Sequence, residues 1–217
     1  MSLDRLGAFH GGMWVRAAAL LAWACSGRAA TDLHPPDLAP PAAVHKVAGK
    51  PITLIRSGEV ALPIVTAKAA APGVRAGAEF LASCLGDMTG VRPKVQADDG
   101  RFTNGAVFVG WTPAAAAAGI DAQALSNGAF VVKTTAKDIF LVGDDAVRFG
   151  SHAQGSKYAA ADFAERVLGV RQYFKPEDGG RVVRPAADLR IPPIHYEDGP
   201  VSTFRNFYPY TQRPELI

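Results

Sequence analysis

Four acidic doublets punctuate the chain: Asp98 and Asp99, Asp144 and Asp145, Glu177 and Asp178, Glu197 and Asp198. Paired carboxylates are the equipment for cleaving a glycosidic bond, one protonating the leaving oxygen while the other activates water or attacks the sugar. That chemistry needs the two carboxyls about 5–9 Å apart, with one held protonated by its surroundings. Adjacent residues of an extended chain instead point to opposite sides. Each doublet also adjoins a glycine, Gly100, Gly143, Gly179 or Gly199, and Asp beside Gly is turn composition. The most suggestive pair is Glu177 and Asp178 in ERVLGVRQYFKPEDGG (165–180), placed after a helix end at Leu168 and Gly169 and a short aromatic strand. All four doublets are expected to be turns, and no catalytic residue is assigned.

Other chemistries find less support. Gly150 and Gly155 have the spacing of a phosphate loop, but Ser156 and Lys157 follow in reversed order. The true motif needs lysine on the phosphates and the hydroxyl on magnesium, and one helical position rotates a side chain by about 100°. No nucleotide or other cofactor is expected. His10, His34, His45, His152 and His195 are scattered, with no H-E-x-x-H and no cysteine pair, so no metal site is expected either. No G-x-S-x-G surrounds Ser83, Ser126, Ser151 or Ser156, and serines beside glycine usually cap and turn. Trp111, Tyr173, Phe204, Phe207 and Tyr210 have rings able to stack on sugars; the alternative is a role in a core or an interface.

Composition narrows the setting. The chain has 217 residues, 48% hydrophobic and 20% charged, enough for one full domain and a fragment of a second. MWVRAAALLAWACSGRAA, beginning at Met13, has an arginine, a short apolar run and then small residues. That is the layout of a secretory signal peptide, too short to span a bilayer comfortably. Residues 1–30 are therefore expected to direct export to the periplasm or beyond. They carry Arg5, Arg16 and Arg28 against Asp4, which accounts for two of the three net positive charges. The remainder is nearly neutral, and no nucleic-acid partner is expected. Loss or lipidation of Cys25 leaves Cys84 alone on a predicted helix, where it reads as a small buried apolar residue.

The elements that must position these residues follow from periodicity. TDLHPPDLAPPAAVHK (31–46) reads as a Pro/Ala-rich linker. ITLI (52–55) and LPIVT (62–66) are short strands. Val74, Ala78, Leu81, Leu85 and Met88 recur at helical spacing, with Pro72 suited to the first turn and Gly90 to the stop. AVFVG (106–110) is a buried strand, followed by a short helix capped by Thr112, opened by Pro113 and ended by Gly119. AFVVKT and IFLVG flank TAKD as a hairpin. A third helix is predicted over 156–168, then short strands RQYF and RVVRP. DLRIPPIHYEDGP is expected to lead out of the domain through Pro192 and Pro193. Helices alternating with strands give an α/β or α+β class, a small mixed sheet packed by helices.

Taken together, AKDIFLVGDDAVRFGSHAQGSKYAAADFAERVLGVRQYFKPEDGGRVVRP (136–185) resembles the N-terminal accessory domain of bacterial α-glucuronidases and β-hexosaminidases. AEFLASCLGDMTGVRPKV and AVFVGWTP resemble that family's first helix and following strand, and FRNFYPY the start of the adjoining domain. The likeness covers about residues 47–210 and rests on the order of motifs. It implies a domain-2-like α/β sandwich over 47–192, with 193–217 a linker and the start of a catalytic-barrel domain. It also implies that the catalytic acids lie in a (β/α)8 barrel. Such a barrel needs about 250 residues, so it is expected to be missing from this chain. Gly155, Ser156 and Lys157 replace the family's Arg-Gly-Thr type of helix entry. The expected function is a non-catalytic accessory domain of an exported glycoside hydrolase-like protein, partnered by a catalytic barrel. The alternative is a stand-alone module that binds polysaccharide.

Overall fold

The computed structural model describes residues 38–148, 151–174 and 178–200. The expected export segment, His10, His34, Glu177 and the tail aromatics Phe204, Phe207 and Tyr210 lie outside the described residues.

The clearest periodic stretch becomes helix α1 (Pro72–Thr89), which buries Val74, Ala78, Leu81, Leu85 and Met88 along one face. Pro72 opens it, where a missing N–H costs nothing. Gly90 ends it at φ 79°, its N–H bonded to Gly86 O at 2.8 Å, in a left-handed geometry that glycine adopts without a Cβ penalty. Thr112 caps α2 (Pro113–Ala117) by accepting a hydrogen bond from Ala115 N at 3.2 Å. Helix α3 (Gly155–Arg166) stops two residues before its expected end, while Val167 and Leu168 stay buried beyond it.

Strands β1 (Ala43–Val44), β2 (Ile52–Arg56), β3 (Glu59–Val60) and β4 (Ile64–Thr66) precede α1; β5 (Val95–Ala97) and β6 (Val107–Val109) follow it. The hairpin β7 (Phe130–Thr134) and β8 (Ile139–Gly143) turns at Thr135, whose N–H bonds Asp138 O at 2.9 Å. Strands β9 (Val147–Arg148), β10 (Ser151–His152), β11 (Arg171–Gln172) and β12 (Arg181–Val182) form two small hairpins around α3. Last come β13 (Leu189–Ile191) and β14 (His195–Asp198).

Among the described residues the main sheet has seven strands in the order β1-β14-β7-β8-β6-β4-β5. Strands β8, β6, β4 and β5 run parallel, and β7, β14 and β1 add antiparallel pairs. The fold is thus α/β, a mixed sheet packed by helices. Both faces are covered, which explains the near-continuous apolar runs of β7 and β8. Phe130, Val132, Ile139 and Leu141 pack with α1 and α3 on one face. Val131, Phe140, Val142, Val65 and Phe108 pack under α2 and Ile120 on the other.

Helix α3 lies so close to β8 that the contact admits no side chain. A Cβ on Gly143 would stand 2.1 Å from Gly155 C, and one on Gly155 would stand 2.3 Å from Asp144 N. This backbone-on-backbone approach fixes the depth at which Phe163 and Ala160 enter the core.

One boundary differs from the sequence-based expectation. The chain does not leave the sheet at Pro192 and Pro193. It turns a corner there, from β13, which pairs with β2, to β14, which inserts between β1 and β7. Proline is tolerated at such a corner because no ladder N–H is needed. Ile191, Ile194 and Tyr196 are buried on either side of it. The segments expected as linkers therefore each supply a strand, β1 and β14, to the sheet expected from 47–192 alone.

Candidate functional site

Asp98, Asp99, Asp144 and Asp145 lie in loops, as expected, whereas Glu197 and Asp198, expected as a turn, end strand β14, because its pairing with β7 continues through both residues. Asp98 Oδ1 accepts from Gly100 N at 3.0 Å, and Asp99 Oδ1 from Arg101 N at 3.1 Å. The Arg101 side-chain hydrogen bond to Asp99 holds that carboxyl below its ordinary range. Asp144 is buried and accepts from Gly128 N at 3.1 Å and Ala146 N at 3.2 Å. Asp198 Oδ1 accepts from Gly199 N at 2.7 Å. Gly179 has φ 71°, as a turn after Asp178 requires.

Of the loop tested for phosphate binding, Gly150 lies outside the described residues, and Asp145 packs against the start of α3. Its carboxylate accepts from Ser156 N at 3.1 Å and from the Ser156 hydroxyl at 2.5 Å, while Ser156 Oγ accepts from Gly143 N at 2.9 Å. The first turn of α3, where an external phosphate would sit, already holds an anion supplied by the chain. Ser156 is fully buried in that cap, and Lys157 donates to Gln154 Oε1 at 3.0 Å. Ser83 accepts from Arg181 Nη1 at 2.7 Å. Burial pushes the Cys84 thiol up to about 11, so it stays protonated and a poor nucleophile.

Two concave surfaces lie on the α2 side of the sheet. One, of 420 Å³, opens beyond the ends of β4 and β5 between Lys68, Asp98, Phe102 and Pro113. The other, of 530 Å³, is lined by Trp111, Ala116, Gly119, Ile120, Asp121 and Gln123. Gly110 turns the chain after β6 at φ 83°, where a Cβ would stand 2.6 Å from Val74 Cγ1. That turn delivers Trp111 to the surface, 50% exposed. Asp121 Oδ1 accepts from Gln123 N at 2.9 Å, closing the loop that faces the indole. Lys133 of β7 borders the same loop, donating to Ala118 O at 2.7 Å. Tyr173 is also exposed, on the β11–β12 hairpin.

The fold also gathers residues that spacing does not connect. Strands β1 and β14 pair Val44 with Tyr196, and His45 N donates to His195 O at 2.9 Å. Tyr196 points into the core, so His195 and Glu197 share the opposite face with His45 and Lys133. The two imidazoles stack at 4.3 Å, and His45 Nε2 lies 3.5 Å from Glu197 Oε1. Burial, then the charges of His45 and Lys133, hold His195 below its ordinary value against the opposing pull of Glu197. Only the alternation His195-x-Glu197 hinted at this cluster, because His45 arrives from the far end of the chain.

No protein-family model and no curated protein sequence matches the chain. Among solved structures it is similar to a GH20 exo-β-N-acetylglucosaminidase from Vibrio harveyi in complex with N-acetylglucosamine, at 11% identity and a TM-score of 0.42 over 75% of this chain. It is also similar to a Streptomyces plicatus N-acetyl-β-hexosaminidase, at 16% identity and a TM-score of 0.45 over 74% of this chain. The chain spans 18% and 25% of those two proteins' lengths.

Trp111 offers an apolar platform with a carboxylate and an amide beside it, whereas Asp98, Asp99, Asp144, Asp145 and Asp198 accept from backbone N–H groups and Glu197 faces His45.

Proposed function

We propose that this chain provides a non-catalytic N-terminal accessory domain of an exported, glycoside hydrolase-like protein, with the bond-breaking chemistry belonging to a catalytic barrel on other residues. The observation that carries the reading is the commitment of five of the eight doublet carboxylates to backbone N–H groups. Asp98 and Asp99 hold backbone N–H groups of their own loop, Asp144 those of Gly128 and Ala146, Asp145 that of Ser156 at the start of α3, and Asp198 that of Gly199. A general acid needs a carboxyl facing the substrate with its proton retained. The carbohydrate assignment rests on the family resemblance of the ordered motifs across residues 47–210. Export rests on the composition of residues 1–30. On this reading the purified chain releases no aglycone from aryl glycosides; turnover that disappears in Glu177→Gln contradicts it.

A second reading is favoured by one feature, the Trp111 surface. An exposed indole beside Asp121 and Gln123 suits stacking on a sugar ring with hydrogen bonds at its edge. A stand-alone carbohydrate-binding module then gives saturable heat on titration with a polysaccharide panel, and Trp111→Ala abolishes it. A flat titration removes this reading and leaves the accessory role.

A further inference from the structure

We propose that His45, His195 and Glu197 form a site for one divalent transition-metal ion, zinc by the nature of its ligands, which clips edge strand β1 to β14. The β1–β14 register creates the site. His45 sits opposite His195, joined by the 2.9 Å backbone bond, and Glu197 lies two residues along β14 on the same face. One potential ligand atom from each of the three side chains lies within 4.8 Å of the others. Ligands of a tetrahedral ion bonded at about 2.0–2.1 Å stand roughly 3.4 Å apart. The edge from His45 Nε2 to Glu197 Oε1, at 3.5 Å, already has that spacing. Closing the remaining edges requires His195 to slide out of its 4.3 Å stack with His45, a side-chain rotation that leaves both strands in place.

The donor set selects the ion. Two imidazoles and one carboxylate suit zinc and its neighbours in the first transition row and leave magnesium and calcium poorly served. The partial exposure of all three residues leaves the fourth position open to water. An opposing charge on this face is Lys133, which pairs in register with His195. Its ammonium is drawn aside by the 2.7 Å bond to Ala118 O. A two-residue edge strand has few ladder bonds of its own, and an ion bonded to both strands adds a link that the backbone lacks. This inference stands on side-chain geometry alone and is independent of the carbohydrate reading.

The test is isothermal titration of the untagged full chain, stripped with chelator, with zinc chloride near neutral pH. One ion per chain is expected, together with a rise in thermal midpoint that EDTA reverses. Cobalt(II) in place of zinc is expected to give the visible absorption of a low-symmetry four-coordinate site. His45→Ala, on the exposed strand, is expected to weaken binding by at least about tenfold, and Glu197→Gln likewise. His195→Ala repeats the test from inside the sheet, with circular dichroism of the metal-free variant checking its fold. Absence of saturable binding overturns the proposal. So does binding undiminished in His45→Ala, since the ion then belongs to other histidines of the chain.

Discussion

Replacing Arg166 by Met should reveal what keeps β14 in the sheet. The Arg166 side chain is 4% exposed, and its guanidinium bonds Asp162 at 3.0 and 3.2 Å. It also donates to Ala39 O at 2.9 Å and stands 3.9 Å from Asp198. Tyr196 of β14 donates its hydroxyl to the same Asp162 at 2.6 Å. Burial works against the Arg166 charge, but the hydrogen bond and charge of Asp162 outweigh it and hold the guanidinium protonated. Arg166→Met leaves the half-buried Asp162 carboxylate uncompensated and strips Ala39 O of its donor. Removing one partner of such a pair costs about 3–5 kcal/mol, which for a chain of this size lowers the thermal midpoint by roughly 6–20 °C. Urea unfolding followed by circular dichroism measures it. The double variant Arg166→Met with Asp162→Asn removes the stranded charge while leaving Tyr196 an acceptor. It should recover a large part of the loss, a coupling of about 1–3 kcal/mol. A single variant within about 0.5 kcal/mol of the parent, or losses that simply add, would refute the reasoning.

Two further outcomes follow from packing and linkage. Gly143→Ala should prevent stable folding or cost several kcal/mol, because its Cβ would meet Gly155 C at 2.1 Å. Gly169→Ala, at φ 73° with open space around it, should cost only about 1–2 kcal/mol; equal losses measured by denaturation would remove the close helix–sheet contact from the account. The Cys84 thiol is raised from 9.0 to about 11 in the fold, so the unfolded chain ionises first as pH rises. The stability it contributes is complete below pH 9 and is lost between about pH 9 and 11, by up to roughly 3 kcal/mol. Cys84→Ala should flatten that part of the stability-against-pH curve; an unchanged slope would contradict the burial argument.

The readable and unreadable parts of the chain divide by the range of the interactions. Helix α1 was legible because everything that defines it, the apolar spacing, Pro72 and Gly90, lies within its own length. The same holds for the Thr112 cap and the hairpin around TAKD. Strand β14 was not legible. Two prolines before it resemble an exit, and the pairing that retains it depends on β7 and β1, distant in sequence. The cap of α3 was visible only as an acidic turn, since nothing local tells Asp145 to bond Ser156. The histidine cluster needed the sheet order itself, which no spacing rule supplies. Trp111 was legible as a candidate ring, but its companions Asp121 and Gln123 reach it only through the turn at Gly119.

The most direct test of the central claim, that the acidic doublets serve the fold and not bond cleavage, is a long-incubation hydrolysis assay. Purified full-length chain at high concentration is incubated with p-nitrophenyl glycosides, N-acetylglucosaminides and glucuronides included, and release is compared with the buffer rate. The expected result is release indistinguishable from buffer, in the parent chain and in Asp145→Asn, Glu177→Gln and Asp178→Asn alike. Release well above buffer by the parent, lost in any of those three variants while the fold persists, would contradict the claim.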